Sequence, residues 1–288
     1  MTLPRWYAES RFLLAESTRA TADTTDYLVF GRLFRTPTNR EHRDANHMHI
    51  SFCHLEDPRD CCGGGALADP PADIAATVRQ LYAPPATPRC TVDCTFKDPR
   101  LVARLLRAFE RAGYACERGI QDQVMCLDLS AAALAWRATS SRVARVLPEA
   151  CDAELAALLA ACNARCFGYS GCGGWVAEKL RRQVRLPSEF RVYALRIGAR
   201  VAAFAVVYTP WEKARHLALV QVLGTDPRDR RQGLATEVLA HALAQLPASC
   251  ERVYLDAVKD SFAVELYRRL EFEPVGLVVS AECTLLLT

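Results

Sequence analysis

Apolar and polar positions along the second half of the chain follow two periods, one typical of helices and one typical of strands. Alanine- and leucine-rich stretches with a helical period predict helices over residues 152–165, 175–185, 233–246 and 261–270. Short runs of β-branched and aromatic residues predict strands over residues 190–197, 201–208, 216–223, 252–258, 275–279 and 282–287. Because helices separate several of these strands, part of the sheet has to be parallel.

The first half has a weaker pattern that still predicts a mixed α/β fold. Its predicted strands cover residues 27–35, 47–54, 89–96 and 124–129, and its predicted helices cover residues 73–82 and 98–113. The stretch 131–141 fits a linker or a connecting helix. A chain of 288 residues is long for one domain and ordinary for two. We therefore expect one domain over residues 1–138 and a second over residues 139–288.

Two similar decapeptides indicate that the two halves arose by duplication. Residues 57–66 read DPRDCCGGGA and residues 226–235 read DPRDRRQGLA, and each follows a predicted strand. Further on, FERAGY at residues 109–114 and YRRLEF at residues 267–272 end two corresponding helices. Matched landmarks in the same order favour a repeat over a chance similarity of one decapeptide.

The first copy lacks polar groups that the second copy carries. The replacements are Cys61 for Arg230, Cys62 for Arg231 and Phe109 for Tyr267. No pair of leading helices is predicted in it. We therefore expect the first domain to be a degenerate copy that does not bind a ligand in the same way as the second.

Composition places the chain among ordinary globular proteins, with 51% hydrophobic and 24% charged residues. A net charge of +3 is too small for a nucleic-acid binder, and no apolar run is long enough for a signal peptide or a membrane span. The thirteen cysteines show no spacing typical of zinc, and we expect small buried hydrophobes in a reducing compartment. The expectation is a cytosolic (cytoplasmic) protein with no metal, no nucleic-acid partner and no membrane contact.

Three arginines lie directly before the predicted helix over residues 233–246. Arg228, Arg230 and Arg231 occupy the end of the helix at which the macrodipole is positive. Such a cluster is locally unfavourable, and an anion bound at the helix N-terminus would resolve the conflict. Gly233 and Ala235 have little or no side chain, so a phosphate can approach the backbone N–H groups closely. A solvated basic turn is the simpler alternative for this pattern alone.

The spacing Arg230-x-x-Gly233-x-Ala235 resembles the Q/R-x-x-G-x-G/A signature of the GNAT acyltransferase superfamily. The order of predicted elements in the second half is similar to that family. ELYRRLEF at residues 265–272 resembles the family's LYxxxGF ending, with Glu271 where the family usually has glycine. The resemblance implies a tandem of two GNAT-like domains, each a mixed α/β sheet fold. It further implies acetyl-CoA as the acyl donor.

The resemblance also implies roles for individual residues. The backbone around Gly224, where the family places a β-bulge, would pair with the pantetheine arm, and the loop after Arg230 would wrap the pyrophosphate. Tyr267 aligns with a phenol that protonates the departing thiolate, with a core aromatic as the alternative. Asp260 would touch the pantetheine or simply cap the helix. The expected donor-binding residues are Leu223, Gly224, Thr225, Arg230, Arg231, Gln232, Gly233, Leu234, Ala235, Thr236 and Asp260.

The general base is less well determined, because an alkylamine must lose a proton before it attacks and several side chains could accept that proton. Asp256 is our first candidate, since it lies on the strand beside the expected cleft. His216 and Glu212 are the others, and each of the three has a structural role as its alternative.

The acceptor is expected to meet the loops over residues 167–175 and 208–213, where Tyr169, Trp175 and Trp211 would line a pocket or act as lid or core aromatics. We predict an N-acetyltransferase that transfers acetyl directly to the amine of a small molecule. The alternatives are a protein or peptide N-acetyltransferase and a non-catalytic CoA-binding regulatory protein. The oligomeric state is left open.

Overall fold

The computed structural model describes residues 3–28, 31–39, 46, 48–50, 70–81, 89–95, 98–130, 139–150, 153–167, 173–210 and 214–285. Its helices are α1 (Arg5–Thr21), α2 (Pro70–Leu81), α3 (Pro99–Arg111), α4 (Ala153–Phe167), α5 (Gly173–Val184), α6 (Leu234–Ala244) and α7 (Phe262–Arg269). Its strands are β1 (Thr24–Leu28), β2 (Gly31–Arg35), β3 (Met48–Ile50), β4 (Arg89–Asp93), β5 (Tyr114–Asp128), β6 (Val143–Arg145), β7 (Phe190–Ile197), β8 (Arg200–Tyr208), β9 (Leu217–Thr225), β10 (Arg252–Val258) and β11 (Glu273–Leu285).

The chain forms two compact units whose limits differ from the expected division after residue 138. The larger unit contains Met1–Ser17 and Gln123–Gly276, and the smaller unit contains Thr18–Asp122 and Leu277–Thr288. The long strands β5 and β11 each contribute residues to both units. Met1–Ser17 was expected in the first domain but belongs to the larger unit, and Leu277–Thr288 was expected in the second domain but belongs to the smaller unit.

In the larger unit, the strands follow the order β5-β10-β9-β8-β7-β6. β7, β8 and β9 are antiparallel neighbours, whereas β9 and β10 run parallel. Gly198 has a φ of 61° in the turn between β7 and β8, a conformation that glycine adopts without steric cost. The prediction that part of the sheet is parallel is therefore confirmed.

One face of this sheet packs against α6 and α7, and alternate strand residues supply the core between them. The opposite face meets α4, where Phe204 of β8 approaches Cys162. The α6 face of the core includes Leu195, Ala205, Val207, Val220, Val238, Leu239, Leu243, Val253, Leu255 and Phe272.

In the smaller unit, the strands follow the order β1-β2-β3-β4-β11-β5, and β3 runs parallel to β4. The succession β3-α2-β4-α3-β5 repeats the succession β9-α6-β10-α7-β11 of the other half. Each succession contains one parallel strand pair followed by a helix, which is the element order that the internal repeat predicted. The decapeptide 57–66 itself lies outside the described residues.

Several elements differ from the prediction, among them β5, which begins at Tyr114 and not at residue 124, and β6, which was not predicted. No helix was predicted at α1, and β11 is one continuous strand where two were expected. β1 and β2 form a hairpin where the pattern over residues 27–35 predicted a single strand. In β11, the ladder to β4 continues through Ser280, Ala281 and Glu282, because each pairs with a residue of β4 whatever the polarity of its side chain.

Charged side chains hold α1 on the larger unit. Glu9 accepts hydrogen bonds from Arg252 at 2.9 and 3.0 Å and from the Tyr254 hydroxyl at 2.6 Å. Burial raises the pKa of Glu9, but the hydrogen bonds from Arg252, Tyr254 and Arg5 outweigh it and leave the pKa below its ordinary value of 4.5. The Trp6 ring also lies against Gly276, where a Cβ would come within 2.0 Å of Cζ2.

We expect Glu9→Gln to lower the free energy of unfolding by about 1–3 kcal/mol near pH 7, because the largely buried Arg252 loses its charged acceptor. The folded-state pKa of Glu9 is depressed, so its stabilising effect is complete above the ordinary value and is lost as the pH falls through the folded value. Urea unfolding of both proteins should therefore show a difference that shrinks below about pH 4.5.

Glu265→Gln is the matched control, since Glu265 forms an exposed ion pair with Arg268 and should change stability by less than about 0.5 kcal/mol. An equal effect of the two substitutions would show that Glu9 does not anchor α1.

Candidate functional site

The parallel strands β9 and β10 separate at their carboxyl ends. Their register joins Leu217–Leu219 to residues 252–254 and stops there, although β9 continues to Thr225 and β10 to Val258. Parallel strands that separate at this edge expose backbone N–H and C=O groups to a gap, and ligands of α/β sheets commonly bind at such a point.

An extra residue in β9 accounts for the separation. Val206 of β8 pairs with Val222 and Val207 pairs with Val220, so Gln221 is the bulged residue between them. A bulge bends its strand and increases the local twist, which directs β9 away from β10. The expected bulge at Gly224 is thus three positions away from the observed one, and Gly224 itself is a regularly paired residue opposite Phe204.

Gly224 is instead required by packing. A Cβ at this position would lie 2.4 Å from Cε1 of Phe204 and 2.9 Å from Sγ of Cys162, both too close for a real contact. The absence of a side chain therefore lets Phe204 of β8 and Cys162 of α4 lie against the backbone of β9. Of its expected neighbours in the donor site, Leu223 packs against the α6 core and Thr225 pairs with Ala203.

The loop after β9 presents a series of unbonded backbone N–H groups. Within the described residues, the N–H groups from Arg230 through Thr236 meet no backbone or side-chain acceptor. Arg231 and Gly233 both have left-handed φ angles, of 66° and 78°, and Gly233 is the N-cap of α6. Left-handed residues beside a helix N-terminus make a concave set of donors that suits an oxyanion.

A network of ion pairs stiffens the start of this loop. Arg200 bonds to Asp229 at 2.5 Å and to Asp226 at 3.2 Å, and Arg228 bonds to Asp226 at 3.0 Å. Hydrogen bonds from Arg228 lower the pKa of Asp226, and those from Arg200 lower the pKa of Asp229. Arg228 is therefore held by a carboxylate and is less available for a phosphate than its sequence position suggested.

Arg230 and Arg231 differ from Arg228, because the described part of the chain provides neither with an ion-pair partner. Both are exposed, as are Gln232 and Gly233, whereas Leu234 is buried and fixes the start of α6 in the core. Two cations without partners thus flank donors without acceptors at the positive end of a helix. This is the arrangement that the arginine pattern predicted.

The helix that follows β10 starts one residue later than expected. Asp260 is exposed and left-handed, with a φ of 60°, and Ser261 is the N-cap of α7. The buried Ser261 hydroxyl has no hydrogen-bond partner in the described chain. The expected capping role of Asp260 is therefore wrong, while its predicted contact with the donor remains a prediction.

Tyr267 is largely buried in the α6 core, with its ring 5.7 Å from that of Phe272 in an edge-on arrangement. The helix α7 that carries it packs against β10, one of the strands bordering the gap. The ring of Tyr267 therefore has the core position that was the alternative to a catalytic role. The role of its hydroxyl as proton donor remains a prediction.

The structure gives Asp256 a partner that the sequence did not indicate. Both its carboxylate oxygens accept from Nη2 of Arg11, at 2.5 and 2.6 Å. Asp256 is therefore held in an ion pair with α1, and its role as general base remains a prediction. His216 lies in the turn before β9, where its carbonyl accepts from Glu251 and Arg252, and Glu212 lies outside the described residues.

Sequence reasoning missed Gln221 as well as Arg11. Oε1 of Gln221 accepts from Nε2 of Gln183 at 2.6 Å, and its Nε2 donates to Ser17 at 3.2 Å. A lone glutamine inside the apolar run HLALVQVL was the available signal.

Only part of the expected acceptor loops is described. Trp175 is buried in α5, with the Lys179 ammonium 5.9 Å from its ring centroid, which is the core role left open for it. Tyr169 and Trp211 lie outside the described residues.

Comparison with known proteins shows which family this part of the chain resembles. Residues 157–272 match the sequence model of the Acetyltransferase (GNAT) family, a span that includes the bulge, the loop after Arg230 and Tyr267. This segment, which is less than half of the chain, is therefore similar to GNAT acetyltransferases. A sequence comparison with curated proteins gives no match.

Solved structures extend the likeness beyond that segment. A tandem GNAT protein from the clavulanic acid biosynthesis pathway matches with a TM-score of 0.56 and 15% identity, over 90% of this chain and 80% of its own. A GCN5-related N-acetyltransferase from Kribbella flavida matches with a TM-score of 0.57 and 15% identity, over 95% of each chain. One from Sphaerobacter thermophilus matches with a TM-score of 0.50 and 15% identity, over 90% of this chain and 82% of its own.

The chain thus has a tandem GNAT fold, as the resemblance implied. Within the described residues, no group of His, Cys, Asp and Glu side chains is arranged to hold a metal ion. No described helix is both long and apolar enough to cross a membrane.

We expect Gly224→Ala to lower the free energy of unfolding by about 1–3 kcal/mol, because its methyl group would overlap the buried Phe204 ring. Phe204→Leu shortens that side chain, so the double variant should lose less stability than the sum of the two single variants. Urea unfolding measures all three. If the losses in free energy of unfolding are additive, the methyl group does not destabilise the protein through its contact with Phe204.

Proposed function

We propose that the protein is an acetyl-CoA-dependent N-acetyltransferase that transfers acetyl directly to the amine of a small molecule. The proposal rests chiefly on the N–H groups from Arg230 through Thr236, which meet no acceptor within the described residues and lie beside two arginines that have no ion-pair partner there. They follow β9 directly, at the edge where it separates from β10.

The donor side of the site suits a long molecule that carries a diphosphate at one end and amide groups along the arm that extends from it. The N–H groups of the loop and the guanidinium groups of Arg230 and Arg231 would hold the diphosphate through charge-assisted hydrogen bonds. Beyond Leu219, the edge of β9 that faces β10 would bond the amides of the pantetheine arm as an added strand. These contacts would place the thioester next to the bulge at Gln221.

Acetyl-CoA, when bound, supplies an acyl group on a good thiolate leaving group. The protein has to stabilise negative charge on the acyl oxygen and move two protons. A backbone N–H freed by the bulge is suited to the first task, since preorganised amide donors stabilise a developing oxyanion. We assign Tyr267 to protonate the departing thiolate. Because Arg11 holds Asp256, we assign proton removal from the amine to no single side chain.

The helices that cover this side of the sheet in the larger unit favour a compact acceptor. α1 and α5 both contact the same strand residue, since Ser17 and Gln183 bond to Gln221. Arg11 of α1 extends this cover to Asp256 on β10. An extended peptide needs an open groove, whereas two helices bonded across this face favour a small acceptor.

The proposal is tested directly by turnover of acetyl-CoA with a panel of small primary amines and a panel of peptides with free N-termini or lysines. We expect saturable transfer to members of the first panel. Transfer to peptides alone would overturn the choice of acceptor, and binding of acetyl-CoA without any transfer would overturn the enzymatic function.

Arg230→Glu should raise the dissociation constant of acetyl-CoA at least about tenfold, which corresponds to about 1.4 kcal/mol. The substitution replaces an attractive charge with a repulsive one beside the proposed diphosphate. Isothermal titration measures the constant. Arg107→Glu is the matched control, because Arg107 is an exposed helical residue of the smaller unit and the change in net charge is the same. Equal affinities in all three proteins would refute the diphosphate assignment.

Tyr267→Phe should lower kcat by about 10²-fold and leave the acetyl-CoA dissociation constant within about twofold, because only the proton donor is removed. Full activity of the variant would remove Tyr267 from the mechanism.

A further inference from the structure

Two cysteines of the smaller unit lie in close contact. Sγ of Cys116 on β5 is 2.8 Å from Sγ of Cys283 on β11. A disulfide bond joins sulfur atoms about 2 Å apart, so a movement of less than about 1 Å separates this pair from bonding distance.

The strands that carry these residues have the geometry that a disulfide needs. β5 and β11 are neighbours in the sheet, and Gly119 faces Ser280 so closely that a Cβ would come within 2.7 Å of the Ser280 carbonyl oxygen. Cys116 lies opposite Cys283, and Gly119, further along β5, lies opposite Ser280, which comes earlier in β11. The two strands are therefore antiparallel. Opposed residues of antiparallel strands have Cα atoms about 4.5–5.5 Å apart, within the range of about 4.4–6.8 Å found in disulfides.

The two thiols differ in the way that a reactive pair requires. Cys116 is partly exposed, whereas Cys283 is fully buried behind it. The hydrogen bond with Cys283 lowers the pKa of Cys116, and the same contact together with burial raises the pKa of Cys283. Cys116 is therefore the accessible nucleophile, and Cys283 is placed to attack it afterwards.

We propose that Cys116 and Cys283 form a reversible disulfide site that reacts with low-molecular-weight disulfides of the glutathione type. The Cys116 thiolate attacks one sulfur of the small disulfide, forms a mixed disulfide and releases one small thiolate. Cys283 then gives up its proton and attacks Sγ of Cys116, which releases the second small thiolate. In total, two protein thiols become one disulfide and one small disulfide becomes two small thiols.

The cross-link would close a long loop of the chain, because 167 positions separate the two cysteines. This loop includes Gln123–Gly276, which is most of the larger unit. A long closed loop restricts the unfolded chain more than the folded one, so oxidation should stabilise the protein. The site depends on the smaller unit alone and not on the proposed acetyl transfer.

The experiment incubates the full-length protein with mixtures of oxidised and reduced glutathione, blocks the remaining thiols by alkylation and maps peptides without reduction. We expect a peptide pair joining Cys116 to Cys283, and a Tm higher by about 5 °C or more than in the reduced protein. Cys116→Ser and Cys283→Ser should each abolish the peptide pair and the Tm rise. Cys126→Ser changes a more buried thiol of the same strand and should retain both.

The proposal would be overturned if Cys116 and Cys283 are still free to be alkylated under conditions in which the oxidant cross-links or glutathionylates other cysteines. A bond from Cys283 to Cys90, its paired residue on β4, would overturn the assignment of partners. A cross-link that leaves the Tm unchanged would overturn the stabilising effect.

Discussion

The single extra residue that Gln221 adds to β9 is the constraint on which the site depends. Without it, β9 and β10 would stay hydrogen-bonded to their ends, and no backbone edge would be open to a ligand. The same residue joins α1 and α5 through its amide, so the position that opens the sheet on one side also fixes the helices that cover it. A substitution there would alter the proposed donor site and the proposed acceptor site together.

The larger unit could be predicted well because its patterns are local. β7, β8 and β10 are apolar runs with clear breaks, and both β7 and β10 have the predicted limits. The exposed arginines before α6, which we propose to bind a diphosphate, could be singled out for a similar reason, since arginines at the positive end of a helix conflict with local electrostatics wherever the chain goes. Its ion-pair network could not, because Arg200 reaches Asp226 and Asp229 from another strand.

Features that depend on distant pairing escaped prediction. Arg11 meets Asp256 from 245 positions away, and no local pattern indicates that a carboxylate on β10 will be neutralised by α1. The bulge depends on the register between β8 and β9, which a single strand does not specify. Gly224 was a reasonable choice for it, since glycine is common at bulges, but packing against Phe204 explains that glycine instead.

The path of β11 has a consequence for the order in which the protein can be completed. This strand lies between β4 and β5, yet it follows both of them in the chain and is translated only after β10 and α7. The smaller unit cannot close its sheet until synthesis has passed β11. Co-translational folding normally proceeds from the N-terminus, so β4 and β5 have to wait for a strand that is made much later, with an open sheet edge exposed in the interval.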